Sequence, residues 1–427
     1  MNLFFKRWPL IINGRLFFIL LSAAFYISSI QCQPQIKKTH LITGADRLLS
    51  EYSNLLVNKK IGVVLNQTSR LSNGVHLIDT LSSLYNVTPV FSPEHGFKGN
   101  IEAGRKYSDN ETDTTKIKFY SLYGTVKKPT KEMLQGVDLL IYDLQDIGVR
   151  YYTFISTLFY VMEAAADNNI PLIILDRPNP LGGLKVEGPI LQNEYLSFIG
   201  ISPIAIRYGL TSGELAKYFL GEGLINNSSH LNLKIIELRY WNRKKYFDSY
   251  YGNNWQKTSP NIPNLNTAIV YPGTCLIEGT NISEGRGTYF PFLQIGAPFI
   301  NSDSLIIELN RLNIKGVNYT PISFIPLSIP EMATEPKYKN EKCYGIFINI
   351  TDRYEFNSVN FGIKLISTIY KLYKKEFEFN EVHFNNLIGN NITIKQIKDG
   401  IEPDVIIQSW HNDLNNFNNK RQKYLLY

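Results

Sequence analysis

A carboxylate and an imidazole stand side by side in the segment Phe91–Gly99, which reads Phe-Ser-Pro-Glu-His-Gly-Phe-Lys-Gly. Pro93 fixes its own φ and disfavours helix at the residue before it, and the two glycines permit a positive φ, so the chain is predicted to leave a strand and bend at once. Ligands of α/β sheets bind at such bends, where Glu94 and His95 could perform acid–base chemistry. Taken alone, the motif is more typical of a solvated surface turn.

Other polar residues follow predicted strands. The strand Lys60–Asn66 ends in an asparagine, and Val137–Tyr142 is followed by Asp143-Leu144-Gln145-Asp146. The strand Pro171–Leu175 is followed by Asp176-Arg177-Pro178-Asn179-Pro180. Polar groups placed after buried strands are typical of the ligand-binding edge of a Rossmann-like sheet.

A third polar segment, Tyr271–Thr288, combines four glycines with Glu278, Asn281, Glu284 and Arg286. This composition favours a structured loop that holds polar side chains close to a ligand. A long surface loop with solvated glutamates is the alternative interpretation.

The elements that must position these residues alternate between strands and helices. Besides the strands above, the apolar pattern predicts helices at 39–58, 75–85, 154–168 and 211–220, and strands at 88–91, 117–120 and 233–238. Thr211 and Glu214 form a capping-box pattern at the start of one helix. The predicted fold class is therefore α/β, with a doubly wound, Rossmann-like parallel sheet.

The second part of the chain is predicted to be a smaller α+β domain. The Pro-rich stretch Trp255–Pro263 indicates a boundary, giving domains at residues 40–262 and 263–427. A strand at 345–350, a helix at 359–374 and a terminal helix near 384–387 with short polar turns after it are predicted there. The end of the chain, Lys420–Tyr427, is expected to pack onto this smaller domain.

The sequence lacks the motifs of several common cofactor, metal and nucleophile sites. Asn66-Gln67-Thr68-Ser69 follows the first strand where a dinucleotide site needs closely spaced glycines, and a phosphate-binding Gly-Lys-Ser or Gly-Lys-Thr loop is absent. The six histidines are scattered, which gives no support to a metal site, and the chain has no Gly-x-Ser-x-Gly elbow. We therefore expect neither cofactor nor metal, and chemistry performed by carboxylates, amides and arginines.

The amino-terminal residues have the order of a secretory signal. Lys6, Arg7 and Arg15 precede the apolar run Leu16–Ile30, and small residues lead to Cys32. Residues 1–32 are predicted to be a signal peptide, and the protein to be exported and periplasmic. Cys32 could carry a lipid that tethers the protein to the membrane, or ordinary cleavage could release a soluble protein.

Chain length and charge indicate the number of domains and whether nucleic acid is a partner. A chain of 427 residues exceeds the size at which one core stops growing, which supports two domains. The formal net charge of +7 falls to +4 without the three basic residues of segment 1–31, and no long basic run indicates nucleic acid. Cys275 and Cys343 are expected to be free and buried rather than joined in a disulfide.

Four motifs in order carry a family resemblance: residues 92–96, 143–153, 176–183 and 278–288. The chain resembles the exo-acting β-N-acetylmuramidases of the NamZ type, formerly a family of unknown function, from about Leu41 to Tyr427. The resemblance implies a Rossmann-like domain, a smaller second domain and a cleft between them. It also implies release of terminal N-acetylmuramic acid from the non-reducing end of peptidoglycan fragments.

Glycoside hydrolysis needs a proton donor and a group that handles the positive anomeric carbon, usually two carboxyls. Glu94, beside His95, is predicted to be the acid. Glu278 and Glu284 are the first candidates for the second group, and Asp143 and Asp146 are the next candidates. The substrate's own acetamido oxygen could attack instead. The residues predicted to bind substrate are Asn66, Asp143, Gln145, Arg150, Tyr152, Asp176, Arg177, Asn179, Asn281 and Arg286.

Arginines suit the lactyl carboxylate of muramic acid, because their planar donors bind carboxylates in pairs; the candidates are Arg150, Arg177 and Arg286. Tyr151 and Tyr152 could stack on the sugar or simply pack. A peptidoglycan- or oligosaccharide-binding protein that keeps the cleft without turnover is the alternative function. An esterase or amidase is more remote, since no nucleophile with an adjacent base is visible.

Overall fold

Six parallel strands form the larger sheet of the computed structural model, which describes residues 40–105 and 117–427. The predicted signal peptide and Cys32 lie outside these residues. The strands are β1 Lys60–Leu65, β2 Asn86–Ser92, β3 Phe119–Ser121, β4 Leu139–Asp143, β5 Leu172–Leu175 and β6 Leu233–Ile236. Their spatial order is β3-β2-β1-β4-β5-β6, the order of the Rossmann fold. The predicted fold class is confirmed.

Helices cover both faces of this sheet. They are α1 Gly44–Glu51, α2 Leu77–Leu84, α3 Phe154–Asp167 and α4 Ser212–Gly221. Val64 and Ile174 pack in the core cluster with α3 and α4, whereas Val63 and Ile173 pack with α1 and α2. Successive strand residues point to opposite faces, so the continuous apolar runs of β1 and β5 are what a sheet buried on both sides requires.

The smaller sheet is antiparallel, with β7 Gln294–Ala297, β8 Val317–Phe324 and β9 Cys343–Ile350 in the order β7-β9-β8. Helix α5, Asp248–Tyr251, precedes this half of the chain. The helices within it are α6 Leu265–Thr274, α7 Ser302–Arg311, α8 Ser358–Leu372, α9 Glu381–Ile388, α10 Ile392–Lys398, α11 Pro403–Gln408 and α12 His411–Arg421. Strands and helices together confirm the α+β class predicted for this region.

Two local predictions were wrong in this half. Residues 265–274 form α6 and residues 275–279 a 3₁₀ turn, where a loop was expected from Tyr271 onward. Gly273 lies so close to α8 that an added Cβ would meet the Ser358 oxygen at 1.8 Å, so close helix packing outweighs the helix-breaking Pro272. Three helices, α10 to α12, follow α9 where short polar turns were expected.

The end of the chain packs onto the first domain, contrary to the prediction for Lys420–Tyr427. The Tyr427 phenol donates to Asp176 Oδ2 at 2.6 Å, and the Leu426 amide donates to Glu214 Oε1 at 2.9 Å. Leu41–Tyr427 form one compact unit, and the boundary at residue 262 stays a prediction. Cys275 and Cys343 are free and buried, as expected. No helix within the described residues is long and apolar enough to cross a membrane.

Candidate active site

A cavity of about 110 Å³ brings together residues from both halves of the chain. We call it the candidate cavity. Five predicted site residues line it: Glu94, His95, Tyr152, Glu278 and Arg286. Thr153 and Asn261, which the sequence analysis did not select, line it as well. The polar segments after β2 and around Arg286 therefore meet in space, although almost 200 residues separate them in the sequence.

Glu94 follows the end of β2 and is held by both of its carboxyl oxygens. Its side chain is only 8% exposed. Oε1 accepts a hydrogen bond from the Gly104 amide at 3.0 Å, and Oε2 accepts one from the Thr153 hydroxyl at 2.6 Å. Thr153 stands directly before α3, so a loop and a helix start together fix the direction of this carboxyl group.

Gly96 and Gly99 adopt the positive φ predicted for them, +74° and +70°, and His95 adopts the left-handed conformation as well, with φ +72°. Its Nδ1 lies 2.7 Å from the Ile101 carbonyl oxygen, which can only accept, so Nδ1 carries a proton. Burial lowers the pKa of His95 and outweighs the opposing effect of Glu94. At neutral pH the ring is therefore uncharged, and Nε2 is a hydrogen-bond acceptor.

Glu278 is held as a carboxylate by Arg286. Arg286 donates to Glu278 Oε1 from Nε at 3.0 Å and from Nη2 at 2.7 Å. Burial raises the pKa of Glu278, but the attraction of Arg286 and of His383 outweighs it and lowers that pKa to about 2. Glu278 is therefore ionised at neutral pH.

Glu284 lies behind Arg286 rather than in the wall of the candidate cavity. Its Oε1 is 3.6 Å from Arg286 Nε and its Oε2 is 3.0 Å from Lys337 Nζ. Lys337 also donates to the carbonyl oxygens of Ile277 and Ile282. Glu284 thus helps to orient Arg286. Sequence spacing marks neither Lys337 nor Thr153 as a site residue. The structure places Lys337 beside Glu284 and Thr153 beside Glu94.

A second polar group lies at the carboxyl ends of β1, β4 and β5, where the order of the strands reverses. We call it the switch-point cluster: Asn66, Asp143, Gln145, Asp146, Asp176, Arg177 and Asn179. None of these side chains lines the candidate cavity. Arg177 binds both oxygens of Asp143, at 2.5 and 2.8 Å. Gln145 Nε2 donates to two carbonyl oxygens, each at 2.8 Å.

The remaining members of the cluster also bind protein groups. Asn66 Oδ1 accepts from the Thr68 amide and hydroxyl. Asp176 accepts from the Thr211 hydroxyl at 2.7 Å, the Gly213 amide at 2.8 Å and Tyr427. Asn179 bonds to the backbone of Leu181 and Leu210. These contacts give no support to the predicted substrate-binding roles, which stay predictions.

The segment Gln256–Thr258 closes this part of the sheet edge. Gln67 Nε2 donates to the Lys257 carbonyl oxygen at 3.0 Å, and Gln256 Nε2 donates to the Gln67 carbonyl oxygen at 2.5 Å. This segment of the chain therefore lies against the loop that follows β1.

Two other predicted site residues are structural in this arrangement. Arg150 is 0% exposed, and its Nη1 and Nη2 donate to four backbone carbonyl oxygens, those of Pro189, Ile204, Leu387 and Ile388. Asn281 joins the backbone of Glu376 and Glu378. Because protein carbonyls occupy these donors, the prediction that Arg150 binds a lactyl carboxylate is corrected.

Comparison with known proteins agrees with this architecture. Residues 61–266 match the N-terminal domain of the family described as exo-beta-N-acetylmuramidase NamZ, and residues 269–427 match its C-terminal domain. The chain belongs to the NamZ family. The peptidoglycan beta-N-acetylmuramidase NamZ of Bacillus subtilis (strain 168) is 42% identical over 394 residues, which are 92% of each chain.

Two solved structures share the fold of this NamZ family member. Both are DUF1343 family proteins of Bacteroides fragilis NCTC 9343. One has a TM-score of 0.81 at 31% identity and the other 0.72 at 32%, and each comparison covers 91% of this chain and 99% of the other. The family resemblance inferred from the four motifs is confirmed. Among the described residues, no group of three or more His, Cys, Asp or Glu side chains could hold a metal ion.

Proposed function

We propose that this protein is an exo-acting glycoside hydrolase that releases terminal β-N-acetylmuramic acid from the non-reducing end of peptidoglycan fragments. Membership of the NamZ family supports the reaction and the substrate class. The observation that carries the proposal is the meeting of Glu94 and Glu278 in one cavity, since glycoside hydrolysis is usually performed by two carboxyl groups.

The surroundings of the two carboxyls suggest different roles. Glu278, with a pKa of about 2, cannot donate a proton, and its negative charge suits the positive anomeric carbon of the transition state. Glu94 is then the proton donor for the glycosidic oxygen. Its proton moves to that oxygen as the C–O bond breaks. Water then supplies the hydroxyl group of the released sugar, and the remaining proton of that water returns to Glu94.

Recognition of the lactyl group is assigned to Arg286. Of the three arginines considered from the sequence, Arg150 and Arg177 are bound to protein groups outside the candidate cavity, whereas Arg286 lines it. Its guanidinium also lies over the Phe292 ring, 5.2 Å from the centroid, which limits its freedom to turn away. A lactyl carboxylate would share this cation with Glu278.

The cellular site of action is proposed to be outside the cytoplasm. The basic, apolar and small-residue order of residues 1–32 supports export to the periplasm, and Cys32 is the proposed point of lipid attachment. Mass analysis of the mature amino terminus tests this. A diacylglycerol-modified Cys32 supports the tether, whereas a mature chain that retains residues 1–31 contradicts export.

The activity is tested with residues 33–427 and a chromogenic β-N-acetylmuramic acid glycoside, beside the matching N-acetylglucosamine glycoside. We expect release from the first substrate and little from the second, because the two differ in the lactyl group. Binding of muramic acid disaccharides without release from either glycoside would contradict the hydrolase and favour a binding protein.

A further inference from the structure

Residues 101–104 hold two groups of the candidate cavity in place, and we call them the holding segment. The Gly104 amide donates to Glu94 Oε1 at 3.0 Å, and the Ile101 carbonyl oxygen accepts from His95 Nδ1 at 2.7 Å. The direction in which the Glu94 carboxyl group points therefore depends on where the holding segment lies.

The holding segment is fixed in turn by a contact with the second half of the chain, which we call the clasp. Glu102 Oε1 accepts from the Thr334 amide at 2.6 Å, and Glu102 Oε2 accepts from the Thr334 hydroxyl at 2.8 Å. Arg105 binds both residues: its Nε lies 2.9 Å from Glu102 Oε2, and its Nη2 donates to Thr334 Oγ1 at 2.7 Å. The Glu102 side chain is only 15% exposed, so water competes little for these bonds.

The segment that carries Thr334 is anchored beside the second carboxyl group of the cavity. Lys337, which follows Thr334 closely, donates to the carbonyl oxygens of Ile277 and Glu278 at 3.0 and 3.3 Å. The same lysine pairs with Glu284 at 3.0 Å. The clasp therefore connects the part of the chain that holds the proposed acid with the part that carries Glu278.

The relative position of the two carboxyl groups decides what they can do. Glycoside hydrolysis needs the acid at the leaving oxygen and the second carboxyl group at the anomeric carbon, at a defined separation. A displacement of about 1 Å can cost about 10²-fold in rate. Neither Glu102 nor Thr334 lines the candidate cavity, so the clasp can act on the reaction only through the groups that it holds.

We propose that Glu102 and Thr334 are positioning residues that place Glu94 for proton donation. Thr153 and Tyr123 also hydrogen-bond to Glu94, but they lie in the same half of the chain, whereas the clasp relates the position of Glu94 to the other half. This inference rests on the proposed function and adds to it a contact between the two halves that completes the acid.

The test compares two β-N-acetylmuramic acid glycosides that differ in their need for a proton. The leaving group of the para-nitrophenyl glycoside departs as a stable anion, whereas that of the phenyl glycoside depends more strongly on protonation by the acid. Loss of the acid, or of its position, should therefore slow hydrolysis of the phenyl glycoside more. The measured quantity is kcat/KM, which reports transition-state stabilisation relative to the free protein and substrate.

The proteins are the parent, Glu102→Ala, Thr334→Val, Thr334→Ser and the control Glu335→Ala. Thr334→Val keeps the shape of the side chain and removes the hydroxyl, while Thr334→Ser keeps the hydroxyl. Glu335 is a neighbour of Thr334, but its side chain is 79% exposed and pairs with Lys339 at 2.8 Å. Thermal unfolding curves show whether each variant folds, and Thr334→Val stays informative if Glu102→Ala does not.

Glu102→Ala is expected to lower kcat/KM for the phenyl glycoside about tenfold to a hundredfold, because the acid loses its position. Thr334→Val should lower it about two- to tenfold, the effect of one hydrogen bond. The loss for the para-nitrophenyl glycoside should be smaller in both variants, and Thr334→Ser and Glu335→Ala should behave as the parent does. Equal losses for both glycosides, or no loss for either, overturn the inference.

Glu94→Gln, measured beside these variants, separates the inference from the proposed function. If Glu94→Gln slows the phenyl glycoside more than the para-nitrophenyl glycoside and the clasp variants do not, the inference alone is wrong. If Glu94→Gln slows both equally, Glu94 is not the acid and the inference is wrong with it. A parent protein that hydrolyses neither glycoside contradicts the proposed function itself.

Discussion

The carboxyl edge of the larger sheet carries two groups of buried polar side chains that differ in how they are satisfied. In the switch-point cluster, Arg177 neutralises Asp143, and most of the other polar atoms bind protein groups. In the candidate cavity, Glu94 and Glu278 line a space that a substrate can enter. The switch-point side chains bind mainly one another and the backbone, although Asn66 Nδ2 and Asp146 Oδ1 have no hydrogen-bond partner among the described residues.

This difference predicts that the switch-point cluster contributes to stability and the candidate cavity to catalysis. A buried charge that is paired and hydrogen-bonded is costly to break, so the switch-point cluster should matter for folding. Acidic side chains that line a cavity can reach a substrate, whereas no switch-point side chain lines the candidate cavity. We therefore expect substitutions in the cavity to act on catalysis and substitutions in the cluster to act on stability.

Glu94→Gln should have the largest effect. Glutamine keeps the shape: its oxygen can accept from the Gly104 amide and its NH2 group can donate to the Thr153 hydroxyl, but it cannot donate a carboxyl proton. We expect kcat to fall by about 10³-fold or more, while the melting temperature changes little. Initial rates on the chromogenic muramic acid glycoside and a thermal unfolding curve measure the two quantities.

Glu187→Gln is the matched control for this substitution. Glu187 is also buried, but it pairs with Arg207 outside the cavity. Its loss should lower the melting temperature and leave kcat at the parental value. An active Glu94→Gln enzyme would show that the proton comes from another group. The candidate cavity would then no longer be supported as the catalytic site.

Asp143→Ala should have the next largest effect, on stability. It leaves the Arg177 charge buried at 6% exposure without its carboxylate, which costs about 3–5 kcal/mol of unfolding free energy. Denaturant unfolding followed by circular dichroism measures the loss. The double substitution Asp143→Leu and Arg177→Met removes both charges and should recover part of it. A stable Asp143→Ala protein with impaired substrate affinity would instead restore the substrate-binding role predicted for Asp143.

The fold was predictable because its signals are local. Apolar runs such as Lys60–Leu65 and Leu172–Leu175 mark strands buried on both faces, and the capping box of Thr211 and Glu214 is present at the start of α4. Helix α6 was missed because Pro272 and Gly273 disfavour helix locally. Close packing of Gly273 against Gly362 of α8, which no single segment of sequence reveals, outweighs that preference.

The residue types of the candidate site were predictable, but their partners were not. Glu94, His95, Glu278 and Arg286 were selected from the sequence and lie in one cavity. Asp143 and Arg177 were selected too, yet each binds the other at the neighbouring strand end. Pairing depends on which strands are adjacent and where side chains point. For the same reason, the sequence did not single out Thr153, whose hydroxyl holds Glu94 in the structure.

The smallest effect concerns Asp146, whose charge behaves in the opposite way to that of Glu278. Glu278 has Arg286 beside it, whereas Asp146 binds only neutral donors, the Tyr208 hydroxyl and the Gly148 amide. Burial, only partly offset by these bonds, raises the pKa of Asp146 to about 6. The folded protein therefore holds this proton more tightly than the unfolded chain does, so the contribution of Asp146 to stability is fully present below about pH 4 and is lost as the pH rises through 6.

Asp146→Asn removes this titration and keeps an oxygen that can accept from Tyr208 and Gly148. Relative to the parent, the variant should gain roughly 1–3 kcal/mol of unfolding free energy between pH 4 and pH 7, and other titrating groups cancel in the difference. Unfolding free energies of both proteins at pH 4, 5, 6 and 7 measure it. A difference independent of pH would mean that Asp146 is already ionised in the folded protein near pH 4. A neighbouring cation or a bound ligand would then have to stabilise its charge, and the switch-point cluster would be a second place where a ligand can bind.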